Sequence, residues 1–304
     1  MYSNPFTMRS IIKDDDRFFG RKQEKKEILT RLQHGQSCSI IGEHKIGKSS
    51  LLYNIVLTGK DYLGKNFIFL YLDVASIYCQ TIVSFLQKIL KDLHLDSSVI
   101  SDKAKPTTNL MIFDEAINSL QNDYQIILCL DDFEGFFCNK AEYNEIFFNH
   151  LRSMANHSRL CLITVSKKPL EIYAIEEKIT SPFFNIFSNI ELKNFQFDEV
   201  KEFIQYYHHI VHFTHEELKF IKSYFDPHPL KLNILCDYLI QNRENRRTKN
   251  EAIDEIRKSY EQFLGGEYKA IKIKHVIFDF ITGKFLENWL KNLTLIKDLT
   301  NGDK

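Results

Sequence analysis

The chain has 304 residues, with 44% hydrophobic and 26% charged side chains, and its 40 basic residues balance 40 acidic ones. That length allows one large domain or two modest ones with proper cores, and zero net charge gives no electrostatic reason to expect a dedicated nucleic-acid binder beyond a local patch. Six cysteines without a C-x-x-C spacing, several inside apolar runs, fit a reducing cytoplasm rather than a secreted disulfide scaffold. The N-terminus MYSNPFTMRS lacks the apolar core of a signal peptide, and no run approaches a membrane span. The expectation is a soluble cytoplasmic protein with no membrane partner.

Residues 1–17 are polar and without a period, and read as a lead-in segment. Glu24, Ile28 and Leu32 fall on helical spacing, with Gly35 as a C-terminal stop. The apolar run Ser37 to Ile41 then reads as a strand. It feeds Gly42-Glu43-His44-Lys45-Ile46-Gly47-Lys48-Ser49, and helix formers follow. G-x-x-x-x-G-K-[ST] between a strand and a helix is a phosphate-binding loop. Its backbone N–H groups must turn inward around an anion, and the following helix aims its positive end there. Gly42 through Ser50 are the expected phosphate contacts. Lys48 supplies a point charge to the β- and γ-phosphates, and Ser49 a hydroxyl to Mg²⁺.

Asn66 to Val74 reads as a buried strand ending near Asp73, either a helix cap or a site residue. Thr81 to Leu93 is helical, and a polar loop containing Pro106 precedes a second helix around Asn109 to Leu120. Tyr124 to Glu134 is a strand that stays apolar until its carboxylates. Asn144 to Asn156 is helical, Arg159 to Pro169 is another strand, and Ser188 to Phe195 a shorter fifth. Such alternation predicts an α/β fold, a parallel sheet flanked by helices with its ligand at the carboxyl ends of the strands. From Asp198 strand text stops and four helices follow, the second opened by a Thr214–Glu217 capping box. The expected organisation is an α/β domain over 18–195, a helical lid over 196–265 and a C-terminal segment over 266–304.

The strand ending in Asp131-Asp132-Phe133-Glu134 has the form of a Walker B strand. Asp131 is the expected Mg²⁺ partner beside Ser49. Asp132 would orient or deprotonate an attacking water, with Glu134 as its substitute. An Asp where many ATPases use the longer Glu points to slow hydrolysis. The strand before Pro169 delivers Thr164, Ser166, Lys167 and Lys168 to the same rim. Ser166 is the candidate γ-phosphate contact there, while the lysines read either as site residues or as surface charges.

These stretches together resemble the STAND class of signal-transduction P-loop ATPases, bacterial type, on the AAA+ side of the P-loop enzymes. Phe18-Phe19-Gly20-Arg21-Lys22-Gln23-Glu24 resembles its hhGRxxE signature, which implies that Phe19, Gly20 and Arg21 lie against adenine. Gly42 to Leu52 resembles its Walker A loop and Leu130 to Glu134 its Walker B strand. Thr164 to Leu170 with Ser181-Pro182-Phe183-Phe184-Asn185-Ile186-Phe187 resembles its sensor 1 region. His228-Pro229-Leu230 resembles the G-x-P segment whose proline, here Pro229, packs on the nucleotide. The chain departs at Lys167-Lys168, where arginine is frequent, and at Pro227, where glycine is expected. Text resembling the start of a winged helix ends at Lys304, so the expectation is a switch without the family's C-terminal sensor repeats or effector domain.

The resemblance implies ATP and Mg²⁺ as ligands and a slow ATPase that couples nucleotide state to homo-oligomer assembly or to a separate effector or sensor protein, in defence or signalling. Arg21 and Arg159 are candidates, by position, for an arginine acting across a subunit boundary. The alternative is a DNA-associated AAA+ ATPase of initiator or transposition-regulator type, for which Arg243, Arg246, Arg247 and Lys249 form the basic cluster. A module holding nucleotide as a structural ligand is a third class, and a small-molecule kinase is the least favoured.

Overall fold

The computed structural model describes residues 4–6, 10–120, 124–157, 160–223, 226–241 and 258. The chain divides into two units, Met1–Ile256 and Arg257–Lys304, and the elements below belong to the first. The fourth helix expected within the lid, the segment 266–304, the basic cluster at 243–249 and Arg159 lie outside the described residues.

Five strands form one sheet: β1 Ser37–Gly42, β2 Phe67–Asp73, β3 Gln125–Asp131, β4 Leu160–Ser166 and β5 Phe187–Leu192. Every neighbouring pair is parallel, in the order β2-β3-β4-β1-β5. The central strands β3 and β4 read as solid apolar runs because both faces are covered, whereas the edge strand β5 mixes buried and exposed residues. In β3, Ile126, Leu128 and Leu130 enter one core and Ile127 and Cys129 the other.

The first core is rich in phenylalanine, with Phe85, Phe113, Phe133, Phe147 and Phe183 among its members. Helices α3 Ile82–Asp92, α4 Pro106–Ser119, α5 Glu145–His157 and α6 Leu170–Glu177 supply its cover. On the other face α1 Lys22–Gln33 and α2 Lys48–Leu63 place Ile28, Leu32, Leu51, Leu52 and Ile55 against β1, β3 and β4. This parity has a functional consequence. Asp131 follows Ile127 and Cys129 onto the α2 side, where the phosphate-binding loop begins.

Two local expectations change. Pro106 is the first residue of α4 rather than part of a loop, a position where its missing N–H costs nothing. Helix α6 was not expected, because Ile172 and Ile175 are exposed while Leu170 and Ala174 are buried, so its apolar residues show no single side. Thr81 caps α3, its hydroxyl accepting from Ser84 N at 3.1 Å.

After β5 come α7 Phe197–Val211, α8 His215–Ser223 and α9 Pro229–Gln241. The Thr214–Glu217 capping box is formed, with Thr214 N donating to Glu217 Oε2 at 2.8 Å and Glu217 N to Thr214 Oγ1 at 3.2 Å. Asn4 and Phe6 of the lead-in segment pack onto these helices. Phe6 is fully buried against Tyr207, Phe203 and Phe213, with its ring centroid 4.5 Å from that of Tyr207. Asn4 Nδ2 donates to Asp237 Oδ1 of α9 at 2.7 Å. An aromatic anchor surrounded by polar text carries no periodic signal, which is why this part was read only as a lead-in.

Candidate nucleotide-binding site

The loop between β1 and α2 sits at the carboxyl edge of the sheet. Gly47 forms the N-cap of α2 at φ 103°, a left-handed conformation that costs a side-chain-bearing residue about 1–2 kcal/mol. The turn leaves the first N–H groups of α2 facing out of the loop. Lys48 is buried, and its Nζ donates to the Gly42 and Glu43 carbonyls, both at 2.8 Å. Burial lowers its pKa, while Glu134, Asp132 and Asp131 pull the other way. The ammonium is thus fixed against the loop, and the three carboxylates favour its charged form.

Ser49 Oγ donates to Asp131 Oδ1 at 3.0 Å, and Asp132 N donates to the same oxygen at 3.1 Å. Burial raises the Asp131 pKa, opposed by hydrogen bonds from Tyr71 and Ser49. A hydroxyl and a carboxylate in contact at the end of a phosphate loop are hard oxygen donors. They suit Mg²⁺, which keeps several waters and takes only one or two protein ligands. Among the described residues no group of three or more His, Cys, Asp or Glu side chains could hold a metal ion by itself.

Asp132 stands at φ 51°, turning the chain out of β3 into a 3-10 turn over Phe133–Cys138. That reversal places Asp132 on the wall of a cavity of about 250 Å³, while Glu134 lies off that wall. Glu134 Oε2 is buried with no hydrogen-bond partner among the described residues, and Oε1 lies 4.0 Å from Lys167 Nζ. Burial raises the Glu134 pKa, helped by Asp132 and opposed by Lys167 and Lys48.

The cavity runs from the loop to the helices after β5. His44, Lys45, Ile46, Gly47, Lys48, Ser49 and Ser50 line its phosphate end. Phe18, Phe19, Pro229 and Leu230 line its apolar end, together with Phe203, Tyr207 and Asn233 from α7 and α9. Ser10, Ile11, Ile12, Asp14 and Arg17 close one side. Ile12 N donates to Ser50 Oγ at 3.1 Å, so Ser50 fastens the N-terminal segment over the start of α2. None of these N-terminal residues, nor Phe203, Tyr207 and Asn233, was expected from sequence. Of the sequence candidates, Gly20, Gly42, Glu43, Asp131, Glu134 and Ser166 do not line the cavity.

Two sequence candidates, Ser166 and Arg21, make contacts of their own within the chain. Ser166 is buried and its hydroxyl donates to the Lys168 carbonyl at 2.8 Å, so it faces the β4 turn instead of the cavity. Lys167 lines the cavity in its stead, and Lys168 pairs with Glu176 outside it. Arg21, 2% exposed, is enclosed within its own subunit and is no candidate for reaching a neighbour. Its Nη2 donates to the Ile46 carbonyl at 2.9 Å, Nη1 reaches Glu24 at 3.2 Å, and the guanidinium lies 4.9 Å from the Phe195 ring centroid. Arg21 therefore braces the phosphate loop at Ile46 and also lines the cavity.

The Gly20-Arg21 turn is also the attachment point of α7. Glu199 accepts from Arg21 N through Oε1 and from Gln196 N through Oε2, the latter closing the α7 capping box. Gly20 has φ +70°, and a Cβ there would lie 2.5 Å from Glu199 Oε1. Gly20→Ala is expected to destabilise the protein by about 2 kcal/mol, from the left-handed penalty and the displaced hydrogen bond. A urea midpoint unchanged from wild type would refute this tight fit.

A parallel sheet in this order, with a glycine-rich loop after β1 and an acidic end to β3, defines a P-loop α/β nucleotide-binding domain. More narrowly, the chain belongs to the AAA-like domain family, which matches residues 8–275. Its fold is similar to that of the Walker-type ATPase PABY2304 of Pyrococcus abyssi, with TM-score 0.60 and 15% identity over 86% of this chain and 78% of that one. It is also similar to the Aeropyrum pernix ORC2 protein in ADPNP–ADP complexes, with TM-score 0.60 and 14% identity over 83% and 70% of the two chains. The Aeropyrum pernix ORC1 protein in complex with DNA gives TM-score 0.55 and 9% identity over 84% and 68%. At these identities the likeness concerns the fold. No curated protein matches in sequence. Among the described residues no helix is long and apolar enough to cross a membrane.

Proposed function

We propose that this protein is an ATP-binding, slowly hydrolysing switch whose nucleotide state sets the orientation of the helices after β5 and, through them, assembly or the engagement of a partner protein. The observation that carries the reading is convergence. One cavity is walled by the phosphate loop, by the N-terminal segment, and by α7 and α9. A ligand filling it would contact all three, and only such differential contact can bias one arrangement over another.

In this reading the purine lies between Phe18, Phe19 and Pro229, and the phosphates lie at the N-terminus of α2 beside Lys48. Ser49 and Asp131 would hold Mg²⁺, which when bound neutralises phosphate charge. Asp132, on the cavity wall, orients the attacking water and takes its proton. Glu134, behind it, contributes charge and is the substitute base. Asp132→Asn is expected to lower ATP turnover by about 10²-fold or more, as for loss of a general base. Glu134→Gln should cost less, and phosphate release at saturating ATP measures both. A larger loss in Glu134→Gln than in Asp132→Asn would reverse the two roles.

The STAND assignment, a bacterial type, and a role in defence or signalling are proposed on the hhGRxxE-like and SPFFNIF-like stretches. The switch is tested by the mass of the full-length protein with ATP, with ADP and without nucleotide, in the presence and absence of candidate partner proteins. The same mass and partner binding in every nucleotide state would overturn it. A second reading, a DNA-associated ATPase, draws support from the fold shared with the Aeropyrum ORC1 protein, which was solved with DNA. Salt-dependent duplex binding with DNA-stimulated turnover would favour it.

A further inference from the structure

Tyr71 lies on β2, one strand away from the acidic end of β3, and belongs to neither the phosphate loop nor the cavity wall. It sits opposite Cys129 in the parallel register, two residues short of the Asp73–Asp131 pair. With Phe67 and Phe69 it packs against the α2-side core, so its side chain is on the same face of the sheet as Asp131. Tyr71 Oη donates to Asp131 Oδ2 at 3.0 Å. The ring is held edge-on to Tyr53 of α2, with centroids 5.8 Å apart. Asp131 thus has a divided carboxylate. Oδ1 receives Ser49 and the Asp132 N–H, and Oδ2 receives Tyr71.

We propose that Tyr71 is a positioning residue for the cation that accompanies the nucleotide, holding the Asp131 carboxylate in the one rotation that presents Oδ1 beside Ser49. The proposal rests on the ATP–Mg²⁺ reading above and deepens it by naming the group that fixes the metal's carboxylate. A carboxylate with a donor on one oxygen only can turn about its Cβ–Cγ bond. The phenol, fixed at both its ring and its hydroxyl, removes that freedom before any cation arrives. Outer partners of metal-binding carboxylates act this way, and their loss costs roughly 10–100-fold in metal affinity. Tyr71 itself is a positioning residue and not a ligand. Its effect on turnover is expected only through Asp131.

Tyr71→Phe keeps the ring and its contact with Tyr53 and removes only the hydroxyl. The full-length protein is titrated with a fluorescent ATP analogue in EDTA, and then with Mg²⁺ at fixed analogue. The expected result is unchanged analogue affinity in EDTA and a roughly 10–100-fold rise in the Mg²⁺ concentration giving half the Mg²⁺-dependent signal. An unchanged Mg²⁺ midpoint overturns the proposal. So does an equal loss of affinity in EDTA and in Mg²⁺, which marks a merely structural hydroxyl. Wild-type protein that binds no analogue in either buffer overturns the ATP reading itself and the proposal with it, an outcome distinct from a variant-specific failure.

Discussion

Lys48→Ala is expected to lower ATP turnover by about 10²–10³-fold, the range seen when one fixed donor is removed from the site of developing charge. The magnitude follows from what surrounds the ammonium. Lys48 is 8% exposed, and its protons are aimed by the Gly42 and Glu43 carbonyls. Three carboxylates, Glu134, Asp132 and Asp131, act on it electrostatically. Alanine removes the cation held against the loop and leaves those carboxylates beside a triphosphate, with Lys45 and Lys167 as the remaining lysines on the cavity wall. Because alanine is favourable in a helix, α2 should still form. Far-UV circular dichroism should therefore match wild type while phosphate release collapses. Turnover within threefold of wild type would remove the loop from the hydrolytic site and, with it, the ATP reading.

The parts of this architecture legible in the sequence are those whose signal is local. The central strands announced themselves as short apolar runs because both their faces are buried, and the phosphate loop because its residue types are dictated by backbone contact with an anion. Asp131 was legible as the end of such a run. What the sequence hid depends on distant partners. Tyr71 sits in an aromatic run, FIFLYLDV, in which nothing marks it off from Phe67 or Phe69. Only the register of β2 against β3 brings its hydroxyl to Asp131. Glu199 looks like an ordinary first-turn acid of α7, and its second bond, to Arg21 N, spans 178 positions. Ser166 illustrates a related point. A polar residue at a strand end resembles a site residue, but its hydroxyl is satisfied two residues further on.

The same long-range bonds explain how a cavity wall made of α7 and α9 can be held in register with the phosphate loop. Arg21 has its side chain on the Ile46 carbonyl and its backbone N–H on Glu199, so one residue touches both the loop and α7. Phe19, the residue two before it, packs on Phe203, Tyr206 and Tyr207 of α7. A displacement of Ile46 would therefore be felt at the N-terminus of α7 without any intervening loop to absorb it.

Acid is expected to destabilise the protein through His228 by about 3 kcal/mol between pH 6.5 and 4, as the linkage between proton binding and folding requires. His228 precedes α9 and is buried, and burial lowers its pKa from 6.5 to about 4. Asp226 opposes that shift, while Lys231 and Arg21 add to it. The sign follows from the neutral folded form. Below pH 6.5 the unfolded chain binds a proton that the folded chain refuses until about pH 4, so the unfolded state gains and stability falls as pH drops through that window. Above pH 6.5 neither state is protonated and the residue is silent. His228 Nδ1 also accepts from Leu230 N at 3.2 Å, a capping bond that asparagine can replace without titrating. Urea unfolding of His228→Asn and wild type at pH 7.5 and pH 4.5 separates this residue from the carboxylates that titrate in both. The variant should lose less stability between the two values, by about 2–3 kcal/mol, and an equal acid loss would refute the assignment.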